Sequence, residues 1–383
     1  MDPFIGAMEN GCSKVENLTV KHSPVDFNAQ LEKAQLSLSQ DEGTYDIVEV
    51  YSGTLSQYAG EDWLYPLDEF YAEHGAEYDL DDIDPALLEF ARYEGKIYVL
   101  PMMANVHVLT YRKDIFDELG IEPPETLDEM ARAAKTIRDS GKMEHPLALT
   151  FSADADITTA YNNSLASLGG EWLDADSDKP LLTSSESVAA VQSLQKLVPY
   201  LPPDAMSANS VGVSTQMQTG DAAMTIMYTG STAEIDSPEK SEFAGKFGFA
   251  AAPSVEPGGG PWATLNLDGF SIAKNSPVDH ELLAQIGAAG TSADAAKDAG
   301  RLAFPARESV REDPELRAEA PHWEAAEATI EAGAHPYPAK PYFVPLQVAV
   351  RPFIADAVSG RLPVNEALEQ AQRAAEKTIA QYR

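Results

Sequence analysis

The sequence predicts an α/β protein built from two domains, and three observations carry that prediction. At 383 residues the chain exceeds what one hydrophobic core comfortably holds. Its 44% apolar and 23% charged residues are those of a chain that folds throughout. Strand-like and helix-like periods alternate along its length with no internal repeat, the pattern that produces α/β layers.

The elements follow in order. Phe27, Leu31, Ala34 and Leu38 recur at helical spacing, and after the turn residues Asp41, Glu42 and Gly43 the run Tyr45–Val50 reads as a strand. Beyond Pro123 and Pro124, Thr126 and Glu129 form a capping box ahead of a helix carrying Leu127, Met130, Ala134 and Ile137 on one face. Thr183 and Glu186 repeat the device before Val188, Val191 and Val198. Short apolar runs at Ile97–Leu100, Val106–Tyr111, Leu147–Phe151, Ala223–Met227 and Phe247–Ala252 read as buried strands. A last amphipathic helix follows Pro363, with Val364, Leu368, Ala371, Ala375 and Ile379 in register.

Composition and motifs exclude several functions. With 27 basic against 61 acidic residues, a formal charge of −34, the chain repels the phosphate backbone of nucleic acids and anionic lipid surfaces. No stretch approaches the 18 or so apolar residues of a membrane-spanning helix. The single cysteine, Cys12, forms no internal disulfide, and the N-terminal residues lack the basic and apolar regions of a signal peptide. There is no nucleophile elbow, phosphate loop, dinucleotide fingerprint or zinc-protease motif. The seven histidines are scattered without metal-ligand spacing. No cofactor, metal or catalytic residue is expected. The triple glycine Gly258–Gly260 reads as a flexible loop.

A set of ordered segments rises above this background. YDIVEV (45–50), DWLYPLDEF (62–70), YEGKIYVLP (93–101) and YRKDIFDELGIEPPETLDEM (111–130) are followed by GDAAMTI (220–226), LNLDGFSIAKNS (265–276) and AFPAR (303–307). In this order and spacing the chain resembles, over residues 18–383, the family 1 extracellular solute-binding proteins, the maltose-binding-protein-like receptors of ABC sugar importers. The resemblance implies a two-lobed type II fold of the periplasmic-binding-protein kind, with the ligand in the cleft between lobes. It implies capture of a sugar, oligosaccharide or polyol by lobe closure and delivery to membrane permease subunits, with no catalysis. It also implies a monomer located in the periplasm or elsewhere outside the cytoplasm. The alternatives are the same fold with a polyamine, organic acid or peptide as solute, and a carbohydrate-active hydrolase.

Placed by these landmarks, lobe 1 comprises 18–109 and 266–310, and lobe 2 comprises 110–265 and 311–383. Crossings are expected near Val108–Tyr111, Thr264–Asn266 and Pro305–Val310. Family members begin with a central strand and helix ahead of the strand that Leu18–His22 resembles. Here residues 1–17 read as a tag, a scar or a displaced N-terminus, so the first strand and helix of lobe 1 are missing or replaced.

A sugar needs fixed donors and acceptors for its hydroxyls and aromatic plates for its C–H faces. Ser52 follows a strand at the edge where open α/β sheets bind ligands. Asn105 follows Pro101 at the first crossing, and Tyr161 and Asn162 offer a ring and an amide from lobe 2. The resemblance places an aromatic at Tyr228 facing the cleft. Within LNLDGF, Asn266 and Asp268 stand where the family carries small residues and a tryptophan. Asp268 thus replaces a stacking face by an acceptor of hydroxyls, and Trp262 restores a plate nearby. Arg307, in the third crossing, either contacts the ligand or bridges the lobes. Trp63 is assigned to packing and Arg351 to a surface salt bridge.

Overall fold

The computed structural model describes residues 2–15, 18–25, 27–153 and 156–382. The chain divides into two compact units: unit 1 is Met1–Asn105, Asn266–Ala320 and Pro336–Phe343, and unit 2 is Val106–Leu265, Pro321–His335 and Val344–Arg383. The strands are β1 (Ile47–Tyr51), β2 (Arg92–Tyr93), β3 (Lys96–Ile97), β4 (Leu100–Arg112), β5 (Met224–Tyr228), β6 (Phe247–Ala251), β7 (Leu265–Ile272) and β8 (Phe304–Pro305). Among the described residues no helix is long and apolar enough to cross a membrane.

In unit 1, β1 is rich in β-branched residues and lies at the sheet edge, antiparallel to β7, with Ile47 opposite Ile272 and Tyr51 opposite Asp268. On its other side β7 pairs with β4, and β8 joins β4 at Met103 and Ala104. Gly269 permits the approach of β7 to β4, since a Cβ there would lie 2.3 Å from the Leu100 carbonyl oxygen. Gln30 Nε2 donates to the Glu49 carbonyl at 2.6 Å, satisfying a backbone acceptor of the edge strand. The helix Asp2–Cys12 packs on His280–Gly290 and Ala293–Ala299. Small residues allow this contact: a Cβ on Gly11 would meet the Ala289 carbonyl at 2.7 Å, and one on Gly290 would meet Cys12 Sγ at 2.4 Å. Ala7 and Met8 there join Met102, Met103, Ala295, Ala299 and Val310 in one core cluster.

In unit 2, the Val106–Arg112 part of β4 pairs antiparallel with β5 on one side and β6 on the other, so that Val108 faces both Met227 and Ala251. The helix Ile157–Ser167 packs on Ser185–Gln195, which in turn carries Val364–Ile379. A second cluster gathers Ala148, Val213, Met217, Met227, Ile235 and Phe247. Arg112 forks onto Asp114 at 2.8 and 2.7 Å and lies 3.7 Å from the Phe243 ring centre.

Several expectations are corrected. Within residues 1–17, Ala7, Met8 and Cys12 of the helix Asp2–Cys12 are buried, because its small and apolar face finds a complementary surface. Met1, Glu16 and Asn17 of that segment lie outside the described residues. Leu18–His22 is irregular and mostly exposed, and among the described residues no strand precedes β1. Among the described residues Leu147–Phe151 forms no named strand and makes one isolated bridge, Leu147 to Met224. Ser184, one residue after the expected cap, accepts from Ser187 N. The chain leaves unit 1 after Asn105, earlier than expected. Residues 311–320 and 336–343 also group with unit 1 and not with lobe 2, the helix Pro314–Glu319 packing against the turn Gly300–Leu302.

If the helix Asp2–Cys12 belongs to the core of unit 1, Met8→Asp is expected to cost about 3 kcal/mol or more, because it buries an unpaired charge. Thermal and urea melts test this. An unchanged transition would show that the helix adds nothing to the fold.

Candidate functional site

In unit 1 the register of β1 and β7 gathers the polar residues. Tyr51 ends β1 opposite Asp268, and the helix Ser52–Gly60 starts at the next residue. This puts the Ser52 hydroxyl over β7, where it donates to Asn266 Oδ1 at 3.3 Å and accepts from Leu267 N at 3.2 Å. The pleat sets Asn266, Asp268 and Phe270 on one face of β7. Asn105 Nδ2 donates to Asp268 Oδ2 at 2.6 Å. Ser52 with Asn266 and Asn105 with Asp268 therefore form two hydrogen-bonded pairs of unit 1 along β7.

Its electrostatics are unusual. Asp268 is 9% exposed, and burial pushes its carboxyl up to about 6 against the opposing pull of the Asn105 hydrogen bond. Glu49, diagonal to Asp268 across the strand pair and missed in the sequence, is pushed up to about 7, first by burial and then by the charge on Asp268. The regular alternation of YDIVEV hides Glu49, whose sequence neighbours are those of an ordinary edge strand. Among the described residues no ion pair with Asp268 or Glu49 is formed.

Unit 2 supplies rings and amides. Tyr228, half-buried at the end of β5, lies on the His107 ring with centroids 3.8 Å apart, and Trp262 meets His107 edge-on at 6.0 Å. His107 is held by Thr264, whose backbone N lies 3.1 Å from Nδ1, and burial pushes the imidazole down to about 3. Thr264 also accepts from Asn162 Nδ2 at 3.0 Å and donates to Asn163 Oδ1. Asp156, likewise missed, is pushed up to about 6 by burial although Ser152 donates to it at 3.3 Å.

Four of the candidates have polar groups already engaged inside the protein. Tyr161 is fully buried in the helix Ile157–Ser167, bonded to Ser187 and edge-on to Trp172 at 5.0 Å. Asn162 spends its amide on Thr264 and accepts from Trp172 Nε1 at 2.7 Å. Trp262 is 2% exposed, and its indole N–H donates to Ser164 at 2.7 Å. Arg307, 1% exposed, donates to the carbonyls of Thr291 at 2.9 Å, Tyr78 at 3.1 Å and Asp79. It ties together three segments of unit 1. Ser52, Asn105, Asn266, Asp268 and Tyr228 remain as candidates. Among the described residues no group of three His, Cys, Asp or Glu is placed to hold a metal ion.

Because the folded chain raises the Glu49 carboxyl from 4.5 to about 7, the protonated form favours folding. That stability is complete below pH 4.5 and is lost as pH rises through about 7. Glu49→Gln is therefore expected to gain about 2–4 kcal/mol on the wild type between acid and mildly alkaline pH. Urea melts of both proteins across that range test this, and parallel pH profiles would contradict it.

Comparison with known proteins identifies the family. The model of the family described as bacterial extracellular solute-binding protein matches residues 13–286. A probable amino-acid ABC transporter periplasmic-binding protein (y4oP) of Sinorhizobium fredii is 24% identical over 342 residues, 85% of this chain and 74% of that one. The mannitol-binding protein of Pseudomonas aeruginosa is 23% identical over 268 residues, 68% of this chain and 60% of that one. Among solved structures, an ABC transporter solute-binding protein of Agrobacterium radiobacter K84 in complex with ribitol superposes with a TM-score of 0.87 at 25% identity, covering 98% of this chain and 96% of that one. Maltose-bound T. maritima MalE3 shares the fold with a TM-score of 0.85 at 21% identity, covering 98% and 95%. With the family model matching well over half of its residues, the chain belongs to the bacterial extracellular solute-binding proteins.

Proposed function

We propose that the chain is the receptor of an ABC importer for a small polyhydroxylated solute, an acyclic polyol or sugar. It acts as a monomer outside the cytoplasm, closes its two units around the solute and hands it unchanged to the membrane permease. The observation that carries this reading is the Asp268 surface of unit 1. Asp268, Asn105, Asn266 and Ser52 offer acceptors and donors at fixed positions, which is what adjacent hydroxyls require. The ribitol complex of the Agrobacterium protein and the mannitol-binding relative support a polyol as solute. No residue of the surface is arranged as a nucleophile with its base.

A second reading has its own support. Asp268 and Glu49 pair with no cation among the described residues, and one relative is named for amino acids. A solute carrying an ammonium group besides its hydroxyls would balance that charge. The two readings part on pH, since an ammonium ligand needs the ionised pair and loses affinity steeply below about 6 to 7.

Thermal shift with ribitol, mannitol, maltose and an amino-polyol tests the reading, because a solute at a hundred times its dissociation constant adds about 2.7 kcal/mol of stability. In calorimetric titration with the best of these, Asp268→Ala is expected to lose about 1.5–3 kcal/mol of binding. Tyr228→Ala is expected to lose a comparable amount and Tyr228→Phe less, because the ring face is kept. Wild-type affinity in Asp268→Ala and Tyr228→Ala would remove both residues from the site.

A further inference from the structure

His107 presents a feature that the surface of unit 1 lacks: a hydrogen-bond donor whose direction is set by the backbone. Its Nδ1 lies 3.1 Å from Thr264 N and 3.3 Å from Thr264 O. The Thr264 amide is buried and has no other acceptor among the described residues, so leaving it unmet would cost about 1–3 kcal/mol. Nδ1 therefore accepts, and the ring proton sits on Nε2. Burial keeps the ring uncharged, its pKa pushed down to about 3.

The Nε2–H meets no acceptor among the described residues. His107 exposes 3% of its surface. Thr264 holds one side of the imidazole and Tyr228 covers its face, so the donor does not turn away. A donor so fixed, on a ring that carries no charge and with no cation bonded to it, fits an uncharged oxygen better than a carboxylate or phosphate.

We propose that His107, locked as its Nε2–H tautomer by Thr264, is a specificity-determining donor of unit 2 that bonds an uncharged oxygen of the bound polyhydroxylated solute. The proposal rests on the receptor reading above.

The test combines the imidazole nitrogens with two variants. In protein labelled with 15N at histidine, His107 is expected to show an unprotonated Nδ1 and a protonated Nε2 from pH 8 to 5, and ribitol is expected to move the Nε2 signal and slow its proton exchange. His107→Asn keeps an acceptor for Thr264 N but has no group at the Nε2 position, and is expected to bind ribitol about tenfold more weakly. His107→Gln places an amide N–H near Nε2 and is expected to stay within about threefold of wild type. A proton on Nδ1, or a folded His107→Asn with undiminished affinity, overturns the proposal alone. A wild-type chain with the stated tautomer that binds none of the polyols overturns the receptor reading and, with it, the proposal.

Discussion

The Asp268 carboxyl is the group around which the polar surface of unit 1 is arranged. It sits on a strand paired with two neighbours, 9% exposed, with one side-chain donor among the described residues, Asn105. A buried carboxylate normally gathers two or three donors or a cation. This one is left short, and a second carboxyl, Glu49, stands on the same face. The shortfall keeps both groups protonated over part of the ordinary pH range and costs the fold stability when they ionise.

Unit 2 follows the opposite rule. Its amides and indoles bond one another: Trp172 to Asn162, Asn162 to Thr264, Thr264 to Asn163, Trp262 to Ser164. Such a network fixes a single arrangement of the core and leaves few groups for a ligand. Tyr228 stays half-buried at its margin, supported by the imidazole of His107. Under the proposed function, rigid support of this kind would lower the ordering cost of stacking a solute on the ring.

Much of this fold was legible in the chain. β1, β5 and β6, the helix capped by Thr126 and the C-terminal helix follow from apolar period and capping chemistry, and the family follows from seven segments in order. What escaped was set by long-range contact. Leu147–Phe151 has a strand's composition but only one bridging partner, and the role of the helix Asp2–Cys12 depends on Gly290, far along the sequence. Ser52 stands just after the end of β1, whereas Asn105 and Asp268 lie within β4 and β7, so their side-chain bond comes from strand pairing and not from sequence neighbours. For Arg307 the choice between its two roles was not legible, because the three backbone carbonyls it bonds come from distant segments. Glu49 and His107 were passed over because each stands in an apolar run whose periodicity speaks only of packing.

The central claim is that this chain binds a polyhydroxylated solute without converting it. Equilibrium dialysis of the pure protein against isotopically labelled polyols, followed by denaturation and chemical identification of the released label, tests it most directly. The account predicts one solute per chain at saturation, recovered unchanged after prolonged incubation. Saturation without a bound polyol, or label recovered as a different compound, would contradict it.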